Sequence, residues 1–498
     1  MELTSIRQKL KEELNKANYP VTDVTYDQFN SVVIFLDRNQ LFRNVLGTVL
    51  NEKNEYGCKK CIEEKTVLLY NDSVCNYKCN VTSKEDVTLE CVRSAVIQEH
   101  CVHLLKCHGY NVICPVYSSM IQRLKDFLPS LDDCFKDVEA DGCNQHLELF
   151  FKSPYIFTTC DKNEEKPTQD NKIYVFDMKK YIQDKCLPSG KDCFDKNLNT
   201  CVVYEGKKSF SEEVLQSACY ILQYCKEMNA DICVHISKQN QAFNKQKVHL
   251  ILQLMAEVED KFMIQKHLVY GNVTQRKQDK DCGVNNAEDL FRLRYDQMRQ
   301  AAIMKYSEGV HGEGWAATLE SLTSACIKFE MLSCVHRNTL KLDISEDEDR
   351  SQSDGSFVMY NYARLSTLFK HFNEAVYDGT YPPLPPVDEI DFKTLREEAE
   401  WCLLYNYIYT YPTLIEQCVE SIEKTDSIHL NIHTHKVCQM LCSLSRTLSS
   451  YYSRYHVLGE ARSHLLPTMY ARLYLLRAVQ QIMENAFKLL GIQPLSQL

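Results

Sequence analysis

The sequence has no apolar run near the roughly 20 residues that a membrane-spanning helix needs, and its mean hydropathy is -0.35. Charges are scattered through its opening, Met1-Glu-Leu-Thr-Ser-Ile-Arg-Gln-Lys-Leu-Lys-Glu-Glu13. The apolar stretch of a secretory signal is missing there, and the acidic residues argue against a mitochondrial presequence. The expectation is a cytoplasmic protein. A surplus of positive charge is also missing: 57 Lys and Arg against 67 Asp and Glu leave a net charge of -10. That argues against a generally adhesive polyanion binder, and DNA is not expected as a partner.

What is present fits a soluble globular chain. Of 498 residues, 25% are charged and 44% hydrophobic, and the length suggests two to four domains. The acidic average conceals an asymmetry. From Pro385 to Asp426 there are 3 Lys and Arg against 10 Asp and Glu, whereas from Ser427 onward there are 7 against 2, with five His. A basic terminal segment on an acidic chain directs attention to a polyanion, although a helical bundle with a chance excess of arginine has the same charge.

The 24 cysteines are read as reduced thiols, several in the core, because no secretory signal accompanies them. Cys58-x2-Cys61 and Cys75-x3-Cys79 could present four sulfurs to a tetrahedral zinc. The second pair is loosely spaced and a strand is expected between the two, so neither metal nor cofactor is predicted.

Short β-rich runs occur at Val67–Tyr70, Asn111–Val116, Lys172–Phe176, Ile232–Ile236 and His267–Tyr270, with helical runs at 89–108, 211–228 and 243–258. This alternation predicts a mostly parallel sheet covered by helices. It follows an opening unit with an amphipathic helix (Ile6, Leu10, Leu14) and a strand, Val32–Leu36. Beyond about 285 the β signal disappears. The polar stretch 343–354 reads as an exposed loop, and Tyr381-Pro-Pro-Leu-Pro-Pro386 as a linker. In the last helix Met469, Leu473, Leu476, Val479, Met483, Ala486 and Leu490 form one apolar stripe, with Pro467 in the first turn and Gly491 closing it. The expected boundaries are 1–65, 66–284, 285–380 and 381–498.

Three passages resemble arginyl-tRNA synthetase. Asp354-Gly-Ser-Phe-Val-Met-Tyr-Asn-Tyr-Ala-Arg-Leu-Ser-Thr-Leu368 is similar to a family helix of the form G-x-x-x-x-Y-x-x-A-R-x-x-x-L. Ser449-Ser-Tyr-Tyr-Ser-Arg-Tyr-His-Val-Leu-Gly459 resembles its F-x-x-F-Y-x-x-x-x-V-L segment, and Arg472 to Ile492 resembles the closing helix of the DALR anticodon-binding domain. The first half is similar more faintly, through Ser31 to Leu50, Val67 to Ser73, and Cys91 to Ile113. The resemblance implies an α/β plus all-α fold, with a degenerate Rossmann-like class I synthetase core followed by a C-terminal helical DALR anticodon-binding bundle.

The departure from that pattern lies at the nucleotide signature. H-x-G-H belongs just before Val92, and this sequence has Thr88-Leu89-Glu90-Cys91. Both histidines are absent and a glutamate replaces the glycine. Amino-acid activation needs donors around a phosphate whose negative charge grows in the transition state, so a carboxylate there acts in the wrong direction. The chain resembles most the DALR anticodon-binding domain-containing proteins, non-catalytic eukaryotic relatives of that synthetase. Ile327 to Ser333, Phe357 to Asn361 and Tyr452 to Glu460 carry the likeness. The resemblance implies no enzymatic activity, binding of arginine tRNA, and partnership with a tRNA methyltransferase that forms 3-methylcytidine in the anticodon loop.

Splayed bases of an anticodon loop are read by aromatic rings, Arg planes and edge hydrogen bonds. The candidate tRNA-binding residues are Tyr360, Asn361, Arg364, Tyr451, Tyr452, Arg454, Tyr455, His456, Arg462, His464, Arg472 and Arg477. Tyr452 could equally be core, Arg364 could pair with the acidic stretch after 387, and the remaining arginines could be solvated surface. Three rival functions stand beside this reading. They are an active or residual arginyl-tRNA synthetase, a structural subunit of a synthetase assembly, and a methyltransferase. Against the last, no glycine-rich loop for S-adenosylmethionine stands between strand and helix.

Overall fold

The computed structural model describes residues 2–16, 20–27, 31–59, 65–75, 87–116, 118–125, 127–128, 135–137, 150–160, 172–190, 193–205, 212–258, 263–275, 284–306, 313–344, 354–419, 422–423 and 427–495. Helix α1 (Glu2–Lys16) precedes an antiparallel pair, β1 (Val21–Tyr26) and β2 (Val32–Leu36). Helix α2 (Arg38–Glu52) starts at Asp37, whose carboxylate accepts from the Gln40 amide and so satisfies one of the helix's free donors. It buries Leu41, Phe42, Val45, Leu46 and Val49 on one face.

The core is a five-stranded sheet built on β3 (Thr66–Asn71). Helix α3 (Leu89–Cys107) leads to β4 (Asn111–Val116) and then β5 (Phe135–Asp137) on one side of it. The three-stranded unit β6 (Ile156–Cys160), β7 (Lys172–Asp177) and β8 (Thr200–Glu205) comes next. Helix α4 (Glu212–Glu227), β9 (Ile232–Lys238), α5 (Ala242–Val258) and β10 (Ile264–Tyr270) follow. The order is β10-β9-β3-β4-β5 and every neighbouring pair is parallel. Strands covered on both faces read as unbroken apolar runs, which is why Val67, Leu68, Leu69, Val234 and Ile236 are all buried. The order reverses at β3, so the crevice at the carboxyl ends of β3 and β9 is the place where open α/β sheets take ligands.

One expected parallel strand belongs elsewhere. Lys172–Asp177 is the centre of the antiparallel β6-β7-β8 unit, not part of the main sheet. The expected loss of all strand beyond 285 also needs correction. After β11 (Val273–Gln275), α6 (Ala287–Tyr306) and α7 (Glu313–Leu332), a short β12 (Leu340–Leu342) pairs in parallel with β11. Arg93 of α3 is fully buried and joins this region to the core. Its Nη1 donates to the carbonyls of Gly271, Asn272 and Asn338 at 2.7, 3.1 and 2.9 Å.

The last unit contains α8 (Asp354–Tyr377), α9 (Glu398–Leu403), α10 (His435–Arg454) and α11 (Leu466–Leu489). Helix α8 packs on α10 and α11, so the bundle begins before the Pro-rich linker, earlier than the boundary expected at 381. The whole predicted stripe of α11, Met469 to Leu490, is buried. Two of the contacts between the bundle and the core use the bundle's backbone. Segment 428–430 pairs with β10: the His267 amide donates to Ile428 O at 2.8 Å, and the Leu430 amide to His267 O at 2.9 Å. This covers an otherwise open sheet edge. At the other contact Gly491, in the left-handed region with φ +63, ends the chain's last turn against α3 and α7. Its carbonyl accepts from Lys328 Nζ at 2.6 Å, and the same nitrogen pairs with Glu99 at 2.6 Å, both side chains being fully buried.

Candidate functional site

Two places carry the residues singled out in the sequence. The first is the crevice between β3 and β9. Thr88 is extended, and its Oγ1 accepts from the Cys91 amide at 3.2 Å, so α3 starts where the synthetase signature would stand. Glu90 lies in the first turn, where the helix dipole favours a carboxylate. Lys238, at the end of β9, donates to Glu90 Oε1 at 3.2 Å. A second pair lies beside it: Lys245 Nζ is 2.5 Å from Asp72 and 5.0 Å from the centre of the Tyr70 ring. Ser73 Oγ is 2.6 Å from the Tyr270 hydroxyl, and burial pushes that phenol up to about 12. Among the described residues, Lys238 and Lys245, which could meet a phosphate here, are matched by carboxylates of the chain itself. Leu89 is buried and packs in the core.

The second place is a cavity of about 580 Å³ on the helical bundle, where α8 meets the end of α10. Helix α8 contributes Tyr360, Arg364, Thr367 and His371, which share one face at spacings of four, three and four. Helix α10 ends at Arg454 because Tyr455 turns extended (φ -120, ψ 114), and this places Tyr452, Tyr455 and His456 around the opposite wall. The Arg364 guanidinium lies 4.3 Å from the centre of the Tyr452 ring and 5.6 Å from that of Tyr360. Both distances are within cation–π reach, the Tyr452 contact being the closer. Tyr452 is half-buried, and desolvation raises its hydroxyl pKa.

The predicted residues separate into three groups. Tyr360, Arg364, Tyr452, Tyr455 and His456 come together at this cavity. Arg454, Arg462, His464 and Arg477 are exposed outside its lining; Arg462 pairs with Glu460, and Arg477 lies 4.2 Å over the Phe369 ring. Three residues are tied to partners inside the bundle, against their expected place at an RNA surface: Asn361 and Tyr451 are buried and Arg472 is partly so. Asn361 is buried and donates to Phe357 O at 2.9 Å, one turn back. Tyr451 is buried and donates to Glu400 at 3.1 Å. Arg472 Nε donates to the same Glu400 at 2.9 Å, so the ion pair with the acidic stretch considered for Arg364 is made by Arg472. Burial, with Glu400 beside it, holds the Tyr451 hydroxyl well above the ordinary phenol range. Tyr455 spans both sets: it lines the cavity, donates to Glu397 at 2.9 Å, and lies 5.1 Å under Arg472.

Thr367 and His371 were not singled out, although they continue the face begun by Tyr360 and Arg364, and that spacing was readable. Of the cysteine set, Cys61, Cys79 and the side chain of Cys75 lie outside the described residues. Cys58 lies instead beside Cys107, whose carbonyl accepts from the neighbouring Lys59 amide at 2.8 Å. No helix among the described residues is long and apolar enough to cross a membrane.

Comparison with known proteins agrees with this geometry. Residues 358–498 match the DALR anticodon binding domain, a match that begins inside α8. The chain is 30% identical over 477 residues to DALR anticodon-binding domain-containing protein 3 of Rattus norvegicus, covering 93% of this chain and 83% of that one. It is 29% identical over 491 residues to the Danio rerio protein of the same name, covering 93% and 82%. In three dimensions it is similar to Thermus thermophilus arginyl-tRNA synthetase, with a TM-score of 0.63 at 13% identity over 99% of this chain and 91% of that one. A class I synthetase core followed by a DALR bundle is therefore the fold, and the chain belongs to the family of DALR anticodon-binding domain-containing protein 3.

Proposed function

We propose that this protein is a non-catalytic tRNA-binding adaptor. In this reading the cavity on the bundle takes a base of the anticodon loop of arginine tRNA. The observation that carries it is Arg364 within cation–π reach of both Tyr360 and Tyr452 in the lining of a 580 Å³ cavity. Aromatic faces stack on any base, while a flat guanidinium offers hydrogen bonds to a base edge or phosphate. His371 and His456 add edge donors on the same rim. The choice of arginine tRNA is supported by the likeness to arginyl-tRNA synthetase, and the partnership with a methyltransferase forming 3-methylcytidine by the family resemblance alone.

The absence of catalysis is supported by the Glu90–Lys238 and Asp72–Lys245 pairs. A phosphate at the start of α3 would have to displace a carboxylate of like charge from the site that favours anions. Cross-linking the full-length protein to cellular RNA and sequencing the bound species tests the adaptor reading. Arginine tRNA linked through its anticodon loop is the expected result, and an absence of tRNA overturns it. Arginine-dependent ATP–pyrophosphate exchange tests the rival synthetase reading, and a rate above background would favour that rival.

A further inference from the structure

Where the N-terminal unit, α3 and the bundle meet, two thiols stand together that neither site above uses. Cys58 follows Gly57, which has φ +91 and lies so close to Tyr411 that a Cβ there would be 2.9 Å from the ring. The close approach fixes where the chain passes. Cys107 is the last residue of α3. Its carbonyl accepts from the Lys59 amide at 2.8 Å, and its Sγ is 3.8 Å from the Gly57 carbonyl. Contacts on both sides of Cys58, at Gly57 and Lys59, thus hold it beside Cys107. Cys58 is partly exposed, whereas Cys107 is buried. An accessible thiol with a second one held beside it is the arrangement of a redox-sensitive cysteine with its resolving partner.

We infer that Cys58 is a peroxide-sensitive modification site whose oxidised sulfur is captured by Cys107 as a disulfide. In the first step Cys58 loses its proton to water and attacks one oxygen of a hydroperoxide. The O–O bond breaks, the sulfur becomes a sulfenic acid, and the leaving hydroxide takes up a proton as water. In the second step the Cys107 sulfur attacks the Cys58 sulfur, and the S–O bond breaks. The thiol proton of Cys107 leaves with that hydroxide as a second water. Each sulfur has given up one electron, and the peroxide has accepted two. Because Gly57 and Lys59 both contact Cys107, the closing step joins two thiols on stretches of chain that already lie side by side. In a reducing compartment such a bond is transient, which suits a sensor rather than a structural staple.

The test uses the full-length protein, hydrogen peroxide, and alkylation of the remaining thiols before digestion and mass spectrometry. The expected result is one linked peptide joining residues 58 and 107. Both thiols then leave the alkylatable pool one for one, and dithiothreitol restores them. With dimedone present, Cys107→Ser accumulates the adduct at Cys58 and the native protein does not. A bond from Cys58 to Cys61 or to any other cysteine overturns the inference, as does equal dimedone labelling of the two proteins. Should Cys107→Ser fail to fold, Cys58→Ser serves instead. Cys107 then stays alkylatable under peroxide, and its oxidation at the native rate overturns the proposal.

Discussion

Arg472 donates to Glu400 at 2.9 Å, and Glu400 is fully buried. The same carboxylate accepts from Tyr451 and caps α9. A charge pair of this kind is costly to break on one side, because the other charge stays behind in a dry site. Arg472→Ala should therefore lower unfolding free energy by about 3–5 kcal/mol. Exposed Arg477→Ala should shift it by less than about 1 kcal/mol. Denaturant titration of both variants checks this. Equal stability losses would remove Arg472 from the framework.

For RNA binding the contrast lies between Tyr452 and Tyr451. Tyr452→Ala should weaken binding of an arginine tRNA anticodon stem-loop by about 1–3 kcal/mol, the usual worth of one base stacked on a ring. Tyr452→Phe should bind almost as well as the native protein. Arg364→Ala should also weaken binding, and if the guanidinium meets a phosphate it should reduce the salt slope by about one. Fluorescence anisotropy at several salt concentrations separates the two kinds of contact. Native affinity and slope in both alanine variants would exclude this cavity from the interface.

Acid should destabilise the core through its buried histidines. Burial is the main cause in each case. It lowers the pKa of His235 to about 3 and of His100 and His336 to about 4, and holds His249 and His267 well below the ordinary imidazole value. His249 Nδ1 and His267 Nε2 are 2.9 Å apart, one donating and one accepting, which requires at least one neutral ring. Unfolded, each imidazole takes a proton near pH 6.5, while the folded ones do not. Stability is therefore complete above about pH 6.5 and falls as pH drops toward the folded values, by about 1.4 kcal/mol per pH unit for each histidine. Denaturation at stepped pH should give a steep loss between about pH 6.5 and 4, and His267→Gln should flatten it. A flat profile across that window would contradict the buried neutral state.

Parallel strands were legible because burial on both faces leaves an unbroken apolar run, as at Val67–Tyr70. Lys172–Phe176 has the same local appearance and lies in an antiparallel insert, because a strand's sequence does not carry the identity of its neighbours. At the site, Tyr360 and Arg364 were legible as an i,i+4 pair. Tyr451 and Tyr452 were not separable: one step along a helix turns a side chain by about 100°, enough to send one ring to Glu400 and the other to the cavity. The same geometry sets Arg472 roughly 140° around α11 from Arg477. Their charges look equivalent in the sequence, and only the long-range position of Glu400 distinguishes them.

Gly491 should tolerate no side chain. With φ +63, and with a Cβ that would collide with the Glu99 carboxylate and stand 2.8 Å from Lys328 Nζ, Gly491→Ala combines backbone strain with displacement of a buried ion pair. Lys328→Met should cost about 3–5 kcal/mol by stranding Glu99, and thermal melts of both variants would register the losses.

That closing turn also decides how the molecule can be divided. The Gly491 carbonyl is held by a lysine from α7, outside the matched DALR segment, and the His100 imidazole of α3 meets Leu489 O at 2.6 Å. Cutting the chain ahead of residue 358 would leave those carbonyls without their partners and uncover the apolar face of α11 that rests on α3. A fragment carrying the DALR segment alone is therefore a poor stand-in for the intact protein, and recognition experiments belong on the undivided chain.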